Sequence, residues 1–417
     1  MFLDLGPLRR HRDFRLVFAG QLVSALGTFL TYVALPVQVF QLTKSSAAVG
    51  LIGTIQLVPL ALTALWGGSL ADAIDRRRLL RVAELLLFCG SAALAINASL
   101  PHPHVLVCFV AAGFMSALNG FHSPALESLT PRLVETEELP AVSALTSLRG
   151  TSAAIVGPAI AGVCIAKFGV GFTFGLDAAS YAASLIALTF VRSIPPSEHA
   201  PAVGLASVLE GIRYAKSRPE LIGTYVVDIV AVTFAMPTAV FPALGAKWGG
   251  AAEAGYLYSA LSAGSLFVTI FSGWTKRVER RGAAVVLAAG TWGLAVALLG
   301  RARSLPVALA CLFLAGAADM VSGLFRMTIW NETIPSRLRG RMAGIEQLSY
   351  MTGPLLGNTR AGFMAERFGL GRSITWGGLI CLLGVAGCVP ALPAFWRYRR
   401  DASTPPVEPS PDPKPTS

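Results

Sequence analysis

Long uncharged apolar stretches dominate the chain, separated by short breaks rich in charge, proline or glycine. Residues 16–43 carry no charged side chain, nor do 45–71, and 85–126 are uncharged with a Pro-His-Pro-His break at 101–104. About 20 apolar residues suffice to cross a hydrocarbon core roughly 30 Å thick. Strands of a membrane barrel would instead alternate in segments of about ten residues, so a β-barrel is excluded. The pattern predicts twelve transmembrane helices, at 15–41, 47–71, 79–99, 104–125, 141–167, 171–192, 221–246, 254–275, 282–300, 304–330, 341–366 and 372–396.

Two segments break this rhythm. The connection 193–220 starts with Pro195 and Pro196. It then spaces Leu205, Val208, Leu209 and Ile212 at helical intervals, with Glu210, Arg213 and Lys216 among the polar positions. That spacing predicts a short amphipathic helix on the membrane surface. Residues 397–417 hold six prolines in a polar tail, where disorder is expected. The expected organisation is a six-helix half over 1–192, a linker over 193–220, a second six-helix half over 221–396 and a tail over 397–417.

Composition sharpens the class. Of 417 residues, 54% are hydrophobic and 14% charged, too few charges to cover a soluble surface of this size. Arg9, Arg10, Arg12 and Arg15 precede an apolar run longer than a secretory signal core, so the first helix is expected to remain as an anchor. All six cysteines lie in apolar segments without metal-ligand spacing, and neither metal nor cofactor is expected. The net charge is +11, and its sidedness says more than its sum. With both termini on the cytoplasmic side, 24 of the 34 basic residues fall on that side and 7 on the other. This bias sets the orientation by the positive-inside rule.

The two sets of six helices resemble each other. Asp75-Arg76-Arg77 matches Glu279-Arg280-Arg281, Pro131-Arg132-Leu133 matches Ser336-Arg337-Leu338, Gly157-Pro158 matches Gly353-Pro354, and Phe168-Gly169 matches Phe368-Gly369. These matches keep their order at nearly constant offset, which points to a parallel duplication around a central site.

Twelve spans in two parallel halves, with Gly68-x-x-x-Asp72 and then Asp75-Arg76-Arg77 after the second span, resemble the major facilitator superfamily. Ala73 stands where a basic residue is usual and Asp75 where a glycine is usual. The string 130–139 (TPRLVETEEL), Leu176-Asp177-Ala178-Ala179-Ser180-Tyr181, Ala34-Leu35-Pro36 and Leu338-Arg339-Gly340-Arg341 are similar to the branch that holds enterobactin exporters and macrolide efflux pumps. The resemblance implies an all-α membrane protein with twelve transmembrane helices in two pseudo-symmetric six-helix halves. It also implies a cytoplasmic gate made by Gly68, Asp72, Asp75, Arg76 and Arg77 against Arg337, Arg339 and Arg341. Gly150, Gly157, Pro158 and Gly162 look like a reduced form of the glycine-proline signature of exporters. In the fourth span Asn119 and Gly120 stand in place of an arginine common in proton-linked relatives. Thr28 stands where relatives in this branch often carry an acid.

Ionisable groups at mid-bilayer cost at least about 2.5–3.5 kcal/mol on insertion scales and so suggest function or a buried partner. The candidates are Asp177, Asp228, Asp319, Arg149, Arg326 and Arg360. Asp319 and Arg326 are seven apart and share a helix face. Asp228 or Asp319, with Arg326 nearby, is the expected proton-coupling group, and Asp177 is expected to be structural. In this fold the cavity is lined mainly by spans one, four, seven and ten. These offer Gln21, Thr28, Tyr32, Asn119, His122, Tyr225, Thr233, Asp319 and Arg326, with Arg326 expected to attract an anionic or catecholate group.

The expected function is a proton-driven exporter, an antiporter acting on a siderophore or drug-like compound at the cytoplasmic membrane. Its partners would be the small-molecule substrate, protons and membrane lipid. It would work as a monomer, without nucleic acid. An importer or lipid transporter on the same fold is the alternative, with a polytopic enzyme or a sensor behind it. Catalytic histidine pairs and a nucleotide-binding glycine loop are both absent from the sequence, which argues against an enzyme and against ATP drive.

Overall fold

A computed structural model describes residues 4–193, 213–335 and 339–399; within these, the side chains of 64–73, 339–341, 343–349 and 351 stay outside the description. The amphipathic stretch at 205–212, Arg337, nearly all of the proline-rich tail, and the side chains of Gly68, Asp72, Arg339 and Arg341 therefore lie outside the described residues.

Among the described residues the secondary structure is helical throughout. The spanning elements are α1 (Arg12–Thr43), α2 (Ser46–Ala73), α3 (Arg76–Ser99), α4 (Val105–Leu129), α5 (139–168), α6 (170–189), α7 (219–248), α8 (Ala251–Ile270), α9 (Arg281–Leu299), α10 (Leu305–Thr333), α11 (Arg339–Phe368) and α12 (Leu370–Ala391). Nine helical runs among the described residues are long and apolar enough to cross a membrane, and one of these, Thr136–Thr189, holds both α5 and α6. The other two elements are α8 and α11. With 20 residues, α8 still reaches roughly 30 Å at about 1.5 Å per residue. The more polar α11 packs on α2, α7 and α12, so protein covers much of it.

The duplication is visible in the backbone. Gly169 (φ 82°) turns α5 into α6, and Gly369 (φ 90°) turns α11 into α12. Residues with a Cβ resist positive φ by about 1–2 kcal/mol, and nothing lies within 4 Å of the position a Cβ would take at either glycine. Gly169→Ala and Gly369→Ala are therefore each expected to lose about 1–2 kcal/mol through backbone conformation alone. A thermal-unfolding series in detergent checks this, and an unchanged midpoint in both variants would contradict it. A second symmetry lies at the start of the third helix in each half. Arg76 donates to Ser128 on α4 at 3.1 Å, and Arg281 pairs with Glu332 on α10.

An even number of antiparallel spans puts the start of α1 and the end of α12 on one face, here the terminal face; the opposite face is the far face. The halves α1–α6 and α7–α12 meet tightly toward the far face, where α5 crosses α8 and α2 crosses α11. A Cβ on Gly162 would lie 2.8 Å from the Gly255 Cα, and one on Gly50 would lie 3.0 Å from the Gly362 Cα. Backbones approach this closely only where side chains are absent. The Glu366 carboxylate of α11 accepts from the Ser46 and Ala47 amides (2.9 and 3.4 Å) and from the Ser45 hydroxyl (3.0 Å), capping the start of α2. Thr54 and Thr359 share a hydrogen bond at 2.9 Å, and Thr359 also donates to the Gly50 carbonyl at 3.1 Å. All of these inter-half bonds lie on the far side of the bilayer.

One predicted span differs in form. The stretch 221–246 reads as a single continuous helix, but the helix breaks at Met236 and resumes through a short 3-10 turn, Thr238–Val240, into Phe241–Trp248. Pro237 forces the residue before it out of the helical region, and Met236 has ψ 117°. The freed groups are satisfied from neighbouring helices. Asn358 Oδ1 accepts from Thr238 Oγ1 at 2.6 Å and from the Ala239 amide at 2.9 Å, and the Tyr258 hydroxyl donates to the Thr238 carbonyl at 3.0 Å.

Candidate functional site

Two cavities adjoin: the larger lies between the halves, and the described lining of the smaller belongs to the first half alone. The larger, about 380 Å³, is bordered by Thr28, Tyr32, Gln56, Met115, Asn119, Tyr181, Tyr258 and Asn358. The smaller, about 170 Å³, continues toward the terminal face past Gln21, Ser24, Asn119, His122 and Arg149. Thr28, Asn119 and Tyr181 border both. On the far side Tyr32 borders the larger cavity with its ring edge-on to Tyr258 at 5.4 Å, and Phe241 is a further 4.8 Å from Tyr258; the lining continues past Tyr32 to Leu35, Pro36 and Val49.

Of the residues expected to line the cavity, Gln21, Thr28, Tyr32, Asn119 and His122 do so. Tyr225, Thr233, Asp319 and Arg326 border neither cavity. Tyr225 packs on Trp330 at 5.3 Å between ring centres, and the Thr233 hydroxyl is buried in α7. In the glycine-proline stretch of α5, Gly157 meets Phe29 of α1, while Pro158 and Gly162 meet Gly255 of α8. Nothing lies within 4 Å of a Cβ placed on Gly150.

The described bonds of Asp75, Arg76 and Arg77 lie within their own half. Asp75 caps α3, accepting from the Arg78 amide at 3.1 Å, and also accepts from the Ser193 hydroxyl. Arg76 is 2% exposed and bonds α4. Arg77 donates to the carbonyls of Leu188 and Thr189 at 2.9 and 2.5 Å, closing the end of α6. The charge cluster after α2 thus ties α3 to α4 and α6 at the terminal face.

In the second half, Arg326 (3% exposed) pairs with Asp228 (7% exposed) at 2.5 Å. Its guanidinium lies 5.1 Å from the centre of the Tyr350 ring. Asp319 is exposed at the middle of α10. Helical geometry puts it on the side of Arg326 and Trp330, and it borders neither cavity.

One buried acid escapes the sequence reading. Glu84 of α3 is fully buried, and its Oε1 accepts from Gln21 Nε2 at 2.7 Å and Ser184 Oγ at 3.1 Å and contacts His122 Nε2 at 3.0 Å. Deeper in the same half, Asp177 is also fully buried and accepts from Thr31 at 2.5 Å and Ser91 at 2.6 Å. Position 84 lies inside the predicted third span, three residues after Arg81. Its carboxylate reads there as the end of the charged turn, although a helix starting at Arg76 carries it more than two turns into the bilayer. Among the described residues no cluster of His, Cys, Asp and Glu is arranged to hold a metal ion.

Comparison with known proteins places this architecture. The sequence model of the family described as transmembrane secretion effector matches residues 4–410. The chain is 30% identical over 377 residues to the enterobactin exporter EntS of Shigella boydii serotype 18, covering 89% of this chain and 88% of that one. It is 29% identical over the same span to the enterobactin exporter EntS of Escherichia coli O1:K1 / APEC. Among solved structures it is similar in fold to a POT family transporter in complex with 5-aminolevulinic acid (TM-score 0.72, 12% identity, 92% of this chain and 97% of that one). It is equally similar to the nucleoside transporter NupG (TM-score 0.73, 12% identity, 92% and 98%).

Proposed function

Since the chain belongs to the transmembrane secretion effector family of the major facilitator superfamily, and is a multi-pass membrane transporter rather than an enzyme, we propose that it exports an amphipathic organic compound from the cytoplasm. Export is by alternating access and is driven by protons. A catecholate siderophore or a drug-like molecule is the expected cargo class. The observation that carries this reading is the larger cavity between the halves, with the smaller one adjoining it, under small-residue seams that join the halves toward the far face. The positive-inside bias supports a cytoplasmic terminal face, which makes this conformation the one closed to the outside. The halves 1–192 and 221–396 are the bodies that rock, joined by 193–220, and the protein acts as a monomer in the cytoplasmic membrane.

The terminal-face gate would involve Gly68, Asp72, Arg339 and Arg341, with Asp75, Arg76 and Arg77 stiffening the edge against which it closes. Pro158 and Gly162 would form, with Gly255, the seam that opens when the far face opens, while Gly157 packs α5 on α1 within the first half. Proton coupling is assigned to Asp228, Arg326 and Asp319. A proton taken by Asp228 breaks its pair with Arg326 and frees the guanidinium for Asp319, seven residues earlier on the same face. Loss of that proton to the cytoplasm restores the first pairing. Such a swap gives each helix two alternative partners, as a two-state element requires.

Export appears as uptake in inverted membrane vesicles. Uptake of a catecholate siderophore, a macrolide or a cationic dye is expected to require an imposed proton gradient, and Asp319→Asn is expected to lower it about tenfold or more, as loss of a coupling group would. Gradient-independent uptake would refute proton drive, and no uptake of any class would refute export of such compounds.

A further inference from the structure

Arg149 has no hydrogen bond and no ion pair among the described residues, yet it borders the smaller cavity about three turns into α5. The other membrane-embedded arginine with a functional assignment, Arg326, is buried against Asp228 and borders neither cavity. The two fully buried acids of this half, Glu84 and Asp177, are part of neither cavity wall; Glu84 Oε1 is engaged by Gln21, Ser184 and His122, and Asp177 by Thr31 and Ser91. The described wall of the larger cavity carries no charged side chain, and in the smaller one Arg149 stands with His122 and neutral amides and hydroxyls. A cation at this depth is stabilised by a counter-anion, and no described residue supplies one.

We propose that Arg149 selects the charge of the cargo: the two cavities form one site for an amphipathic organic anion. The acidic group would sit against the Arg149 guanidinium. The aromatic or apolar body would fill the larger cavity among Tyr32, Tyr181 and Tyr258. The inference rests on the transporter reading above and narrows its cargo class. A guanidinium presents paired N–H donors in a plane and binds carboxylate, sulfonate or catecholate oxygens two at a time, with charge assistance. Tyrosine walls accept a flat apolar body and offer hydroxyls at its edge. Thr28, Asn119 and Tyr181 border both spaces, with the Thr28 and Tyr181 hydroxyls hydrogen-bonded at 3.0 Å, so a molecule reaching from one space to the other would pass these side chains. The same guanidinium repels a cationic amphiphile, so the site discriminates by repulsion as well as attraction. The coupling group proposed on α10 is separate from this docking point, so substitutions can tell them apart.

The test is equilibrium binding to the full-length protein in lipid nanodiscs, with empty nanodiscs as the partition control. The probes are 1-pyrenebutyrate, its uncharged methyl ester, and a pyrenebutyl-trimethylammonium of the same body. The wild type is expected to bind the anion about tenfold or more tightly than the ester, the scale of one charge-assisted contact, and the cation most weakly. Arg149→Gln should erase the gap between anion and ester while leaving ester affinity unchanged, which also reports that the variant is folded. Arg149→Lys should restore part of the gap. Equal binding of anion and ester by the wild type, a gap that survives Arg149→Gln, cation binding as tight as anion binding, or no binding of any probe would each overturn the proposal. Binding is read without flux, so a failure of export leaves this result legible. Conversely, gradient-driven vesicle uptake of a cationic dye, unaffected by Arg149→Gln, would overturn the anion site and leave the exporter standing.

Discussion

Asp228→Ala is expected to destabilise the protein by about 3–5 kcal/mol, because it strands the Arg326 guanidinium in the interior of the second half. Both members of the pair are nearly inaccessible, and they meet at 2.5 Å. Removing one partner leaves an uncompensated buried charge, whereas removing both leaves only a packing defect. The double variant Asp228→Ala/Arg326→Met should therefore recover most of the loss, since methionine fills space flexibly without charge. Thermal unfolding of wild type, both single variants and the double variant in one detergent gives the comparison. A single variant as stable as wild type would show that the pair is solvated in the resting protein. A double variant no better than Asp228→Ala would show that the loss comes from packing around Asp228 rather than from the stranded charge. The same set reports on coupling: the double variant, though stable, should transport without response to a proton gradient.

The second large effect is expected at the seam between α5 and α8. A Cβ on Gly162 would sit 2.8 Å from the Gly255 Cα and 3.1 Å from the Ala252 carbonyl oxygen, so the backbones themselves must part to admit a side chain. Gly162→Leu should disfavour the far-closed conformation by about 1–3 kcal/mol, the usual cost of overpacking, which shifts the balance between states by about 5- to 150-fold. Gly162→Ala should shift it less. Spin labels at Lys167 and Lys247, on the far ends of α5 and α7, would report the change. The leucine variant should populate a longer separation and lose most of its vesicle uptake. A distance distribution identical to wild type would mean that the seam yields without opening the halves.

Much of the fold was legible because the bilayer simplifies the problem. A chain that cannot leave backbone polar groups facing lipid must form helices long enough to cross, and uncharged runs of that length mark them one by one. The order of the repeat was legible for a similar reason. Phe168-Gly169 and Phe368-Gly369 keep a glycine where the backbone takes a positive φ, a demand that a single residue meets locally. The break in α7 was also written in the sequence, at Pro237, but apolarity on both sides hid it. Whether proline kinks a helix or ends it depends on who satisfies the freed groups, here Asn358 from α11 and Tyr258 from α8.

The site was legible only in part. The family resemblance, through the spans that line this fold's cavity, pointed to Gln21, Thr28, Tyr32, Asn119 and His122, and the two cavities run past all five. Spacing along one helix does not say which neighbour a side chain meets. Tyr225 turned to Trp330, Arg76 and Arg77 turned back into their own half, and Glu84 passed for part of a turn. By itself, the sequence determined the membrane class, the span order, the duplication and the charge bias between faces, since each follows from local composition measured against a slab of hydrocarbon. Only the tertiary structure decided that Arg326 is consumed by Asp228 while Arg149 is left facing a cavity. Which charges are compensated depends on contacts between helices far apart in the chain, and no local pattern records them.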